Sequence, residues 1–168
     1  PNVINNIMME RISSVSGPTK GKILRPSDQK PVESIVFVQC AGSRDENHLP
    51  YCSSICCLGS LKHANYVLEQ NPDAKIYIFY IDIRTPGKYE DFVAKVQTKP
   101  NVNMIKGKVA KITAGENGGV LVEAENILNL EKVRLEVDMV VLATGMEPNL
   151  KGQEGIAGIE LDENGFVP

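Results

Sequence analysis

Two short, unbroken, largely β-branched apolar runs, Ser34–Gln39 (SIVFVQ) and Lys75–Ile81 (KIYIFYI), constrain this chain most, because a helical pattern lies between them. Apolar residues at consecutive strand positions need burial on both faces of a sheet, which in practice means a parallel sheet covered by other layers. From Ser53 to Glu69, Ile55, Leu58, Leu61, Ala64 and Leu68 recur at steps of three and four, predicting a helix of about four turns. Ser53 or Ser54 is placed to cap that helix, and Asn71-Pro72-Asp73 ends it. Strand, helix and strand together form a βαβ unit with an expected right-handed crossover.

The rest of the chain extends this α/β pattern. Val3–Ile12 carries apolar residues close to one helical face, and a stretch rich in Gly, Pro and Lys from Gly17 to Pro31 reads as a linker. Tyr89–Lys99 reads as a further helix and Val102–Ile105 as a strand. Val109–Ala114, Val120–Ala124 and Val133–Val137 alternate apolar and polar residues, with Glu116-Asn117-Gly118-Gly119 as a turn, predicting an antiparallel meander. Met139–Ala143 (MVVLA) is again a buried type of strand and runs into Thr144-Gly145.

Composition narrows the function. A chain of 168 residues, 42% hydrophobic, supports one principal core, and a net charge of -3 without a basic block argues against nucleic acid. No apolar run reaches the roughly 20 residues of a membrane span, and PNVINNIMMERISS lacks the features of a signal peptide, so a cytoplasmic protein is expected. Pro1 at the start and Phe166-Val167-Pro168 at the end, where a strand looks ready to begin, read as the cut ends of a fragment.

The chemistry lies in four clustered cysteines, Cys40, Cys52, Cys56 and Cys57, spaced C-x11-C-x3-C-C. One closes the first strand and three stand at the start of the following helix, so they meet in the crevice where open α/β sheets bind ligands. Cys52 and Cys56 are expected on one helical face. Such a set suits an anionic iron-sulfur cluster facing a helix amino end. A four-thiolate zinc site, a redox dithiol built on Cys40 and Cys52, and inert buried cysteines are the competing readings. Asp82 closes the second strand where a ribose-binding acid often sits, but Gly42 is the only glycine in the preceding turn, so the dinucleotide fingerprint is missing. Asp82 then reads as a strand-end or salt-bridging acid. His48 reads as a solvated loop residue and His63 as a surface or packed one, while Ser43, Arg44 and Asp45 either hydrogen-bond around a cluster or simply build the turn.

At VQCAGSRDENHLPYCSSICC, YIDIRTPGKYEDF and VVLATGMEPN the chain resembles the thioredoxin-reductase-like part of the HdrA flavoproteins of heterodisulfide reductase. It looks closer still to the flavoprotein subunits of the quinone-interacting membrane-bound oxidoreductase complex, which partners adenylylsulfate reductase in sulfate reducers. The resemblance covers nearly the whole chain. It implies a Rossmann-like three-layer domain of the FAD/NAD(P)-binding type with an antiparallel meander. It further implies a 4Fe-4S cluster on Cys40, Cys52, Cys56 and Cys57, in place of a nicotinamide site. Ala143, Thr144 and Gly145 resemble the segment that closes against FAD in the intact protein. Residues 1–30 then correspond to a remnant of the FAD domain with its linker, 31–150 to the inserted domain, and 151–168 to the return segment. The FAD fingerprint expected upstream is not in this sequence, so the fragment is not expected to hold FAD by itself. The implied function is electron transfer in an anaerobic, multi-subunit complex at the inner face of the membrane. An NAD(P)H-dependent disulfide reductase domain and a structural zinc-binding or interaction domain are the alternatives.

Overall fold

The side chains of Ile35–Val38 are all buried but alternate between two cores: Ile35 and Phe37 belong to one hydrophobic cluster, Val36 and Val38 to another, and all but Val38 are fully buried. The strand is a wall with a core on each side. The computed structural model describes residues 2–150 and 158–167. In chain order its elements are β1 (Val3–Asn5), α1 (Asn6–Ser13), β2 (Ser34–Val38), α2 (Cys56–Gln70), β3 (Lys75–Tyr80), α3 (Glu90–Gln97), β4 (Val102–Lys106), β5 (Val109–Ala114), β6 (Val120–Asn126), β7 (Glu131–Val137) and β8 (Met139–Leu142).

A five-stranded parallel sheet has the order β1-β8-β2-β3-β4, and β5-β6-β7 form a separate antiparallel sheet. On one face Ile35, Phe37 and Ile78 pack with Met9 of α1, Leu61, Ala64 and Val67 of α2, and Val96 of α3. On the other, Val36, Phe79 and Val140 pack with Val120, Val122, Ala124 and Val137 of the meander. Helices, parallel sheet and meander are therefore the three layers expected. Each fully buried aliphatic or phenyl side chain contributes about 1.5–3 kcal/mol through its removal from water.

The expected helix from Val3 is shorter and later. Val3–Asn5 instead pairs in parallel with Val140–Leu142, and the helix begins at Asn6. Two β-branched residues reach an open strand edge there, and the Asn5 side chain caps the helix by accepting the Met8 N–H at 2.8 Å. Residues 1–30, assigned above to a neighbouring domain, contribute Ile4, Met9 and Ile23 to the helix-side core. Leu24 bridges to Pro31, and Arg25 is buried, donating to Asp138 and to the Asn117 carbonyl.

Near the carboxyl end the expected strand does not form within residues 158–167. Asp162 closes a turn there, its side chain accepting the N–H groups of Asn164 and Phe166 at 2.9 and 2.8 Å. Phe166 meets Tyr51 edge to face, with ring centroids 5.3 Å apart. Part of the expected return segment, 151–157, lies outside the described residues. No helix among the described residues is long and apolar enough to cross a membrane.

Candidate metal centre

The loop from Gln39 to Ile55 joins the carboxyl end of β2 to the start of α2. It folds back on itself through Leu49 N–H to the Gly42 carbonyl (3.1 Å), Asp45 N–H to the Leu49 carbonyl (3.0 Å) and Arg44 N–H to the Tyr51 carbonyl (3.1 Å). Four of its residues adopt left-handed backbone, Cys40 (φ 54), Gly42 (φ 87), Arg44 (φ 55) and Ser54 (φ 59). For the three that are not glycine this costs on the order of 1–2 kcal/mol each, so the surroundings must over-determine the loop.

The helix begins at Cys56, not Ser53, and Ile55 precedes it without a side-chain cap. The hydroxyl expected to cap it is occupied elsewhere: Ser53 Oγ accepts the Met146 N–H at 2.8 Å. Cys52 consequently lies on the loop and does not share a helical face with Cys56, which corrects the expectation drawn from their spacing.

All four cysteines are free thiols at this end of the sheet, Cys57 buried and the other three half-buried. Cys56 Sγ donates to the Thr144 carbonyl at 3.4 Å, Cys57 Sγ lies 3.9 Å from the Asp82 carbonyl, and Ser54 N–H donates to Cys52 Sγ at 3.4 Å. Burial pushes the Cys56 thiol up to about 11, and the charges that Cys57, Cys40 and Cys52 would carry push it the same way. Burial also raises Cys40, opposed by the Arg44 guanidinium, and raises Cys57, opposed by the Arg84 backbone N–H. Burial thus favours the protonated form of Cys40, Cys56 and Cys57, and a cation bound there must displace those protons.

Ala143-Thr144-Gly145 lies directly on this loop. Ala143 N–H donates to the Val38 carbonyl at 2.9 Å and Ala143 O accepts the Ala41 N–H at 3.2 Å. Thr144 Oγ1 bonds Asn6 Oδ1 at 2.9 Å. A Cβ on Gly145 would stand 2.8 Å from Ser53 Oγ, 2.9 Å from Leu49 Cδ1 and 3.0 Å from Ser43 Cβ, so only glycine allows the approach. Asn6 and Ser53 were not legible as site residues, because their partners lie 138 and 93 positions away.

Asp82 is the salt-bridging acid foreseen: its carboxylate pairs with Arg44 and, at 3.3 Å, with Arg84. Burial opposes its ionisation, but the two guanidinium groups outweigh this and hold the carboxyl below its usual range. Asp45 accepts the Asn47 N–H at 3.0 Å and lies 3.7 Å from Lys108 Nζ, while Ser43 is buried. His48 is exposed and, with Cys40, Gly42, Asp45, Lys108 and Lys111, lines a cavity of about 390 Å³ beside the meander. His63 is packed, 3% exposed, stacked on Phe37 and 2.6 Å from Glu10 Oε2.

Four cysteine sulfurs are donors of the type that iron-sulfur clusters take. Among the described residues no three His, Cys, Asp or Glu side chains stand grouped closely enough to hold a single metal ion. A cluster interposes its own iron and sulfide between the thiolates and also accepts hydrogen bonds. On the elements that flank the cysteines, the buried Gln39 amide and Ser60 hydroxyl have no partner, and such groups ordinarily find one.

Helices on one face of a parallel sheet and a meander on the other define a Rossmann-like domain of the thioredoxin-reductase type. Thioredoxin reductase from Giardia duodenalis superposes with a TM-score of 0.53 over 97% of this chain and 41% of that one, at 15% identity. The Lactococcus lactis enzyme gives 0.50 over 81% of this chain and 38% of that one, at 17% identity. In sequence, the chain is homologous to the A subunits of CoB-CoM heterodisulfide reductases. It is 44% identical over 158 residues to the HdrA protein of the ferredoxin:CoB-CoM heterodisulfide reductase of Methanosarcina mazei, covering 93% of this chain and 20% of that protein. It is 39% identical over 170 residues to the iron-sulfur HdrA protein of the CoB-CoM heterodisulfide reductase of Methanocaldococcus jannaschii, covering 98% of this chain and 26% of that protein. The chain thus spans only about a fifth to a quarter of the length of these relatives. No protein-family model matches it.

Proposed function

We propose that this chain is an electron-transfer module of a heterodisulfide-reductase-like flavoprotein, with Cys40, Cys52, Cys56 and Cys57 holding a 4Fe-4S cluster. The observation that carries the reading is the placing of four free thiols at the carboxyl edge of the sheet, in a chain similar to a protein described as an iron-sulfur subunit. When bound, the cluster supplies one-electron storage. The chain's own residues do the rest: in the free thiols the Thr144 and Asp82 carbonyls hold Cys56 and Cys57, the left-handed loop presents Cys40, and α2 offers its free N–H groups to the anion.

In the intact protein Ala143, Thr144 and Gly145 approach FAD, 31–150 is the inserted domain between segments of the FAD domain, and electrons pass between that flavin and partner proteins. The same segment that packs on the cysteine loop then faces the flavin, which gives electrons a short route. Heterodisulfide reductase complexes are the partners the relatives favour. A quinone-linked complex with adenylylsulfate reductase, and a role in sulfate reduction, rest on the motif resemblance alone.

The test is anaerobic reconstitution with iron and sulfide, on wild type and Cys56→Ser. The expected result is ~4 irons per chain with a broad visible band that bleaches under dithionite, lost in the variant. Zinc retention without iron uptake, or thiols that change state on adding a nicotinamide dinucleotide, would sink the reading in favour of a structural site or a disulfide reductase.

A further inference from the structure

Cys40 directly follows β2, and Cys56 and Cys57 open α2, but Cys52 stands in irregular backbone that no strand or helix holds. Its two chain neighbours hold it instead. Tyr51 Oη donates to the Met146 carbonyl at 2.9 Å, and Ser53 Oγ accepts the Met146 N–H at 2.8 Å. Both main-chain groups of one residue are therefore gripped from either side of Cys52. The Met146 end of this clamp is itself anchored. Ala143 N–H donates to the Val38 carbonyl, and Thr144 is bonded to Asn6 twice, Thr144 Oγ1 donating to Asn6 Oδ1 at 2.9 Å and Asn6 Nδ2 donating to the Thr144 carbonyl at 3.4 Å. Sheet and α1 thus fix one side, and the cysteine loop hangs from it.

We infer that Tyr51 and Ser53 are the positioning residues of Cys52, clamping it to the Ala143–Met146 segment so that its sulfur is presented as a cluster ligand. The ligand role rests on the cluster reading above, whereas the clamp itself uses no cysteine proton. Its two arms are unequal. Ser53 is buried, so losing its oxygen leaves the Met146 N–H without an acceptor, while the Tyr51 bond is exposed and water takes its place.

Ser53→Ala and Tyr51→Phe each delete one oxygen and change no charge, and the second keeps the ring that meets Phe166 edge to face. The experiment is alkylation of the reduced 168-residue chain with iodoacetamide under argon, the label on each cysteine being followed by mass spectrometry with Cys40 as the reference in the same molecule. The ratio of the Cys52 rate to the Cys40 rate is expected to rise about fivefold in Ser53→Ala and about twofold in Tyr51→Phe. The corresponding Cys56 ratio should stay within about 1.5-fold of wild type, because Thr144, which faces Cys56, is held by Asn6 and not by the clamp. After reconstitution with iron and sulfide, iron loss to a chelator should be fastest in Ser53→Ala, slower in Tyr51→Phe and slowest in wild type.

An unmoved Cys52 ratio in both variants would overturn the clamp, as would an equal acceleration at all four cysteines, which reports a loosened fold and not one released side chain. Faster labelling of Cys52 with unchanged iron loss would overturn the positioning role. A wild type that takes up no iron would sink the cluster reading, and the ligand role with it, while the labelling ratio still decides whether the clamp exists. Should Ser53→Ala fail to fold, Tyr51→Phe decides, and an unmoved Cys52 ratio there overturns the inference.

Discussion

The two edges of the parallel sheet are built on opposite terms. At the amino edge, Asp138 accepts hydrogen bonds from Glu33 N–H (2.9 Å), Ser34 N–H (2.8 Å), Ser34 Oγ (3.0 Å) and Arg25 Nη1 (3.1 Å), and Arg25 also reaches the Asn117 carbonyl. One carboxylate thereby ties the starts of β2 and β8 to the segment after α1. At the carboxyl edge stand three left-handed residues other than glycine, four free thiols, and buried Gln39 and Ser60 groups without partners. Stability is concentrated at one end, and strain with reactive groups at the other.

That contrast can be broken from either side. Asp138→Ala should have the largest effect, about 3 kcal/mol lost in urea denaturation, because a buried arginine and three further donors lose one acceptor together. Iron uptake per folded chain should not change, since the cysteine loop is at the far edge. Gly145→Ala should cost about 1–3 kcal/mol through overpacking against Ser43, Leu49 and Ser53, and should lower iron incorporation roughly twofold or more by displacing the loop. A variant that loads iron normally would show that the loop does not depend on this contact. Ser54→Gly should be the smallest effect and of opposite sign, a gain of roughly 0.5 kcal/mol, because glycine removes the left-handed penalty. A loss in its thermal or urea midpoint would mean that the strain is relieved by contacts of the serine itself.

The layers were legible because hydrophobic patterning reports burial on two faces. SIVFVQ and KIYIFYI could only be central parallel strands, and the alternation from Val109 to Val137 could only be a half-exposed meander. The edge strand β1 was not, because Val3 and Ile4 fit the first turn of a helix equally well until distant β8 offers an edge, with Val3 opposite Val140. The same applies to the site. Four cysteines announced themselves by spacing, whereas the start of α2 was misjudged because Ser53 caps a distant N–H and not its own helix. Side chains committed to partners far along the chain leave no local trace.

The sheet order β1-β8-β2 carries a consequence of another kind. The path by which the chain enters this unit and the path by which it leaves run side by side, with Val3 opposite Val140 and Asn6 latched to Thr144. A unit whose entrance and exit are neighbours behaves as a cassette: it can be spliced into a surface loop of a host domain without prising that host apart. The four cysteines at its carboxyl edge would then travel with it as one group, on the edge of the sheet opposite Asp138.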